Sequence, residues 1–167
     1  VNSKILGTSR QFTIYLPASY DVDASKTYPV LYLLHGLGGN AHTWPHAGHV
    51  RDVADLQIAN GESDEVIIIS PDAGGTINGY FNVEGWAYED FFFQEFIPYI
   101  ENRYSIRSER DSRSIAGFSM GGYGAIYYGL THPEMSCNVY ACSPATSVGS
   151  PLPDLKRLIE EPHSINS

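Results

Sequence analysis

The sequence predicts an α/β protein with a mainly parallel sheet flanked by helices. Three observations carry that expectation. Pro29–Leu34, Val66–Ile69 and Ser114–Phe118 are short runs of the kind that form strands buried on both faces. Helix-like patterns and glycine-rich loops separate these runs, as crossover connections between parallel strands require. The third run leads straight into Gly117-Phe118-Ser119-Met120-Gly121-Gly122, a Gly-x-Ser-x-Gly turn from strand to helix.

Taken in order, Gln11 to Leu16 alternates Phe12, Ile14 and Leu16 with other residues, a half-buried strand stopped by Pro17. Tyr20 to Thr27 is a polar turn. Pro29 to Leu34 is a buried strand that runs into the glycine-rich loop His35-Gly36-Leu37-Gly38-Gly39-Asn40. Val50 to Asn60 reads as a short helix ended by Asn60-Gly61, and Val66 to Ile69 as a second buried strand closed by Pro71-Asp72. Ala73 to Gly85 is a Gly/Asn-rich loop. Phe92, Phe93, Phe96, Ile97 and Ile100 recur at helical spacing up to about Arg103, and Pro98 is expected to kink that helix. The charges of Arg107 to Arg113 read as a solvated turn. Ser114 to Phe118 is the third buried strand, followed by a helix that ends at His132-Pro133. Asn138 to Cys142 is a fourth strand candidate, and Pro151 to Ser167 is at most one short helix and a tail.

The chain has 167 residues, 43% hydrophobic, and reads as a single domain, 1–167. A net charge of −9 without a basic stripe argues against nucleic acid and anionic membrane as partners. No apolar run reaches the ~20 residues of a membrane span. Cys137 and Cys142 lie five apart on one strand and point to opposite faces, so both are expected as buried free thiols. The compartment stays open, with secretion or a periplasmic location favoured over the cytoplasm.

The glycine-flanked serine is the chemically informative feature. The turn is strained and has no room for Cβ atoms beside the helix start, and the following helix aims its N–H groups at developing negative charge. A serine hydroxyl also needs a base to take its proton and donors to hold the oxyanion. Ser119 is the candidate nucleophile of an ester hydrolase, and the Met120 N–H the first oxyanion donor. The second is expected from the loop at His35 to Gly39, at the Leu37 N–H or its neighbour Gly38.

Three stretches together resemble the esterase D family of α/β-hydrolases: Tyr15-Leu16-Pro17-Ala18-Ser19-Tyr20, Tyr28-Pro29-Val30-Leu31-Tyr32-Leu33-Leu34-His35-Gly36, and Gly117 to Gly122. Tyr88 to Phe91 and Ile97 to Glu101 are similar too, so the resemblance runs from about Gly7 to Ser143. That family includes feruloyl and other carbohydrate esterases, S-formylglutathione hydrolases and the antigen 85 mycolyltransferases. The resemblance implies an α/β-hydrolase fold, Ser119 as nucleophile, and the N–H groups of Leu37 and Met120 as oxyanion hole. It also implies a carbohydrate-linked feruloyl, cinnamoyl or acetyl ester as substrate, with an acyltransferase as the variant reading.

In this fold the triad runs Ser, then Asp or Glu, then His. The resemblance places the last two beyond further strands, so the C-terminal strands are expected to be missing from this chain. After Ser119 the only bases are His132 and His163, and the acids are Glu134, Asp154, Glu160 and Glu161. His132 ends the long helix and is too distant, while His163 lies four residues from the terminus. The edge at Asn138 to Cys142 is therefore expected to be covered by a second chain or by the remainder of the domain. A non-catalytic fragment or binding module is the alternative from another class.

Trp44, Trp86 and Tyr88 are candidates for the substrate pocket, with a structural role equally open. Asp72 is read as a loop cap rather than a substrate contact. His42, His46 and His49 flank Pro45 and read as a surface loop, so no metal site and no cofactor is expected.

Overall fold

The computed structural model describes residues 1–76 and 78–145. Its elements follow in chain order: β1 (Phe12–Tyr15), β2 (Val30–Leu34), α1 (Thr43–Ala47), α2 (Val50–Ala59), β3 (Ile67–Pro71), β4 (Asn82–Val83) and β5 (Trp86–Ala87). Next come α3 (Tyr88–Phe91), a π-helical turn (Phe92–Phe96), α4 (Ile97–Arg103), β6 (Arg113–Phe118), α5 (Met120–Thr131) and β7 (Asn138–Cys142). Five strands form one sheet in the order β1-β3-β2-β6-β7. All neighbours are parallel except β1, which runs antiparallel to β3. Among the described residues no helix is long and apolar enough to cross a membrane.

The two faces of the sheet are covered unequally. The larger core packs α5 and the α3–α4 rod on one face, around Tyr28, Tyr32, Tyr80, Tyr88, Phe92 and Tyr128. Several of these rings are capped by hydroxyls that bond loop carbonyls. Tyr80 Oη donates to His35 O at 3.0 Å, Tyr88 Oη to Asp72 O at 3.1 Å, and Tyr128 Oη to Tyr80 O. A buried phenol requires such a partner. The effect here is to tie the loops after β2 and β3 to the core. The opposite face has a small cluster of Leu33, Ile68 and Ala116, flanked by Trp44, Val50 and Ala54.

The structure corrects several expectations. Pro98 does not simply kink the rod. The turn before it widens, and the Ile97 N–H bonds Phe92 O five residues back. The rod thus reaches a residue that cannot donate with its register already shifted. The His42–His49 segment is not a loop, because Thr43–Ala47 is a short helix with His42 as its N-cap. Arg113 is not part of a solvated turn. It is 5% exposed and forms a two-pronged pair with Glu101, at 2.7 Å and 2.8 Å. Its remaining N–H groups donate to Met135 O and, at 2.7 Å, to Ser108 O. The cysteines are free but not buried, with Cys137 half-buried and Cys142 exposed. β7 is the sheet edge, and Tyr140 on it is 70% exposed. The predicted helix and tail at 151–167, with Asp154, Glu160, Glu161 and His163, lie outside the described residues.

Candidate active site

The sheet topology gathers the site. Loops at the carboxyl ends of parallel strands share one rim, the usual place for ligand chemistry in open α/β sheets. Here that rim carries the loops after β2, β3 and β6. At the end of β6, Ser119 takes φ 54° and ψ −115°, a backbone region that side-chain-bearing residues rarely adopt. Two close approaches enforce the turn. A Cβ on Gly117 would sit 2.2 Å from Gly121 O, and one on Gly121 would sit 2.4 Å from Leu34 O. Only glycine lets α5 start this near β2.

The Ser119 main chain is pinned on both sides. Its N–H donates to Cys142 O, and its carbonyl accepts from Tyr123 N and Ala145 N, all at 3.0 Å. The side chain is half-buried, at the foot of α5. A Cβ on Gly36 would lie 3.5 Å from Ser119 Cβ, so the loop after β2 stands directly beside the serine. In that loop the Gly38 N–H is committed to Gly75 O at 3.2 Å and the Gly39 N–H to Gly36 O at 3.0 Å. Among the described residues the N–H groups of Leu37 and Met120 have no acceptor. Of the two alternatives read from the loop, Gly38 is thus occupied.

His35 organises this loop, a role the sequence reading missed. It is fully buried, and its Nδ1 lies 2.8 Å from Gly36 O. Its Nε2 accepts the Ala73 N–H at 3.1 Å. These partners require the neutral tautomer with hydrogen on Nδ1. Burial pulls its pKa below the ordinary value, while Gly36 O and the Asp72 carboxylate oppose that shift. One side chain therefore joins the loops after β2 and β3. The available signal was a histidine placed between a buried strand and a glycine-rich loop.

The other predicted site residues are placed as follows. The Trp44 indole N–H donates to Leu34 O at 3.0 Å, against the smaller core. Tyr88 is wholly buried, with its hydroxyl on Asp72 O at 3.1 Å. Trp86 is half-buried, stacked on Tyr88 at 5.7 Å, and donates to Gly79 O at 2.8 Å. Asp72 accepts the Gly74 N–H at 2.8 Å, as a loop cap does. His132 stands at the far end of α5, twelve residues or about 18 Å from its start. There its Nε2 is 2.8 Å from Glu89 Oε1. Glu134 is held 3.7 Å from the other nitrogen of that ring. Among the described residues no histidine hydrogen-bonds the Ser119 hydroxyl.

Comparison with known proteins agrees with this architecture. The family model Esterase, described as "Putative esterase", matches residues 3–156. The chain is 32% identical over 143 residues to an endo-1,4-beta-xylanase/feruloyl esterase of Xylanibacter ruminicola, covering 80% of this chain and 19% of that one. A solved ferulic acid esterase superposes with a TM-score of 0.86 at 47% identity, over 92% of this chain and 60% of that one. The ferulic acid esterase of the anaerobic fungus Anaeromyces mucronatus gives 0.75 at 29% identity, over 86% and 56%. The chain thus spans less than two thirds of each of these relatives. Its elbow, its glycine-rich loop and the match over most of its length place it in the esterase family of α/β-hydrolases.

Proposed function

We propose that this chain carries the nucleophile and oxyanion hole of a serine carboxylic-ester hydrolase. The observation that carries the reading is the strained Ser119 turn beside the N–H groups of Leu37 and Met120, which have no acceptor among the described residues. Ser119 Oγ attacks the ester carbonyl and its proton passes to a base. The carbonyl oxygen becomes an oxyanion between the Leu37 and Met120 N–H groups, each such donor contributing about 3 kcal/mol. The C–O bond then breaks, the alcohol leaves with the proton, and water attacks the acyl-enzyme to release the acid and free Ser119.

The base and its acid belong, in this proposal, to the remainder of the domain or a second chain that pairs with the open edge of β7. Support comes from the parallel β6–β7 register, which delivers Cys142 O to the Ser119 N–H and so sets that edge beside the nucleophile. A carbohydrate-linked cinnamoyl or acetyl ester is the proposed substrate, on the strength of the relatives' feruloyl esterase names. A second reading, an inert hydrolase fragment or binding module, is favoured by the lack of any histidine bonded to Ser119 among the described residues. A fluorophosphonate probe separates the two. Labelling that disappears in Ser119→Ala marks an activated serine, and no labelling, alone or with the remaining segment added, favours the inert reading.

A further inference from the structure

Among the described residues Arg10 is held in place without a charge partner. It precedes β1, and because β1 is antiparallel to β3, Arg10 lies at the rim formed by the carboxyl ends of the parallel strands. The Gln11 carbonyl beside it accepts the Asp72 N–H at 3.0 Å, which fixes it against the loop after β3. Its guanidinium stands over the Trp86 ring, 4.4 Å from the centroid. A Cβ on Gly74 would lie 3.8 Å from its Nη1. None of its side-chain N–H groups has a hydrogen-bond partner among the described residues, although Nε is buried. Asp72, the nearby carboxylate, spends its Oδ1 on the Gly74 N–H.

Arg113 gives the contrast within the same molecule. That structural arginine makes four hydrogen bonds, to one carboxylate and two carbonyls. A guanidinium has five donors in a planar fork suited to a carboxylate, and a partly buried one left empty is costly. In a chain of net charge −9, a partly buried cation at this rim with no partner among the described residues stands out.

We propose that Arg10, stacked on Trp86, binds a carboxylate carried by the substrate of the Ser119 site. The inference rests on the ester-hydrolase reading and adds an anionic subsite to it. Three strand spacings separate β1 from β6 in the sheet order, about 14 Å. A carboxylate bound there sits two to three sugar rings, or one two-ring aromatic acyl group, from the scissile bond. Residue contacts link the two sites. Trp86 bonds Gly79 O, and a Cβ on Gly79 would lie 2.8 Å from Met120 Sδ.

The test uses the whole chain with Ser119→Ala, so that probes bind without turnover. The readout is the indole N–H resonance of Trp86, assigned with Trp86→Phe. Methyl 4-(4-carboxyphenyl)cinnamate and methyl 4-phenylcinnamate probe the acyl side. An acetylated xylobiose carrying a terminal glucuronosyl group and the matching glucosyl compound probe the alcohol side. At least one carboxylated probe should shift the Trp86 resonance and bind about tenfold tighter than its neutral counterpart, a preference that falls with salt. Arg10→Gln should abolish that preference and leave the neutral probe unchanged, while Arg10→Lys should keep part of it. Equal binding of carboxylated and neutral probes overturns the proposal. So does an equal loss for both in Arg10→Gln, which would make Arg10 a prop for Trp86. Should Arg10→Gln not fold, Arg10→Lys and the salt dependence of the unaltered chain decide. In the chain that keeps Ser119, labelling with the remaining segment added but no carboxylate preference overturns the subsite alone, and absent labelling under those conditions overturns the hydrolase reading.

Discussion

Substituting Gly121 by alanine tests whether the approach of α5 to β2 is what forms the nucleophile turn. The added Cβ would lie 2.4 Å from Leu34 O and 2.6 Å from His35 O. Both are backbone atoms at the end of a buried strand, so no side chain can swing aside. Restoring an ordinary carbon–oxygen contact needs the start of α5 to retreat by roughly 0.8 Å, at the overpacking cost of about 1–3 kcal/mol. The same retreat carries Ser119 and the Met120 N–H away from Leu37, and a misplacement near 1 Å costs on the order of 100-fold in rate. Urea unfolding should therefore show a loss of about 2 kcal/mol, and fluorophosphonate labelling should slow by about two orders of magnitude. Gly61→Ala is the control. Gly61 has φ +71° and open space around it, so only backbone strain of about 1 kcal/mol is added, away from the rim. A Gly121→Ala protein as stable as the parent, labelling at the same rate, would refute the close-approach argument.

Arg113→Met strands the nearly buried Glu101 carboxylate and should cost about 3–5 kcal/mol in urea unfolding, most of it recovered when Glu101→Met is added. The depressed pKa of His35 predicts a pH-dependent stability. Its contribution is complete above the unfolded value of 6.5 and declines as pH falls from there toward the folded value, because the unfolded chain takes up the proton first. Unfolding curves from pH 7.5 downward should show this decline, and it should flatten in His35→Gln. The open edge at β7, with Val139 and Tyr140 exposed, should give concentration-dependent association by light scattering, reduced in Tyr140→Lys. A strictly monomeric parent chain would argue that the edge is already covered.

Where a feature is written in local pattern, the sequence by itself determined it. The runs Val30–Leu34 and Ile67–Ile69 are apolar because almost every position in them is buried, and Gly117, Ser119 and Gly121 announce a turn that leaves no space for Cβ atoms. The helix at Met120–Thr131 and the strand at Asn138–Cys142 were legible for the same reason.

Only the tertiary structure decided what depends on residues distant along the chain. Arg113 looks like one charge among several until Glu101 meets it from α4. Tyr88 and Trp86 read alike, yet one is sealed in the core and the other is stacked under Arg10. Leu37 was the expected donor and Gly38 its neighbouring alternative until Gly75 O, in the loop after β3, occupied the Gly38 N–H. His35 became the link between two loops only when Ala73 came within reach of its ring. Hydrophobic period and turn chemistry act over a few neighbours and can be read along the chain. Hydrogen-bond commitment and burial arise between segments that only folding brings together.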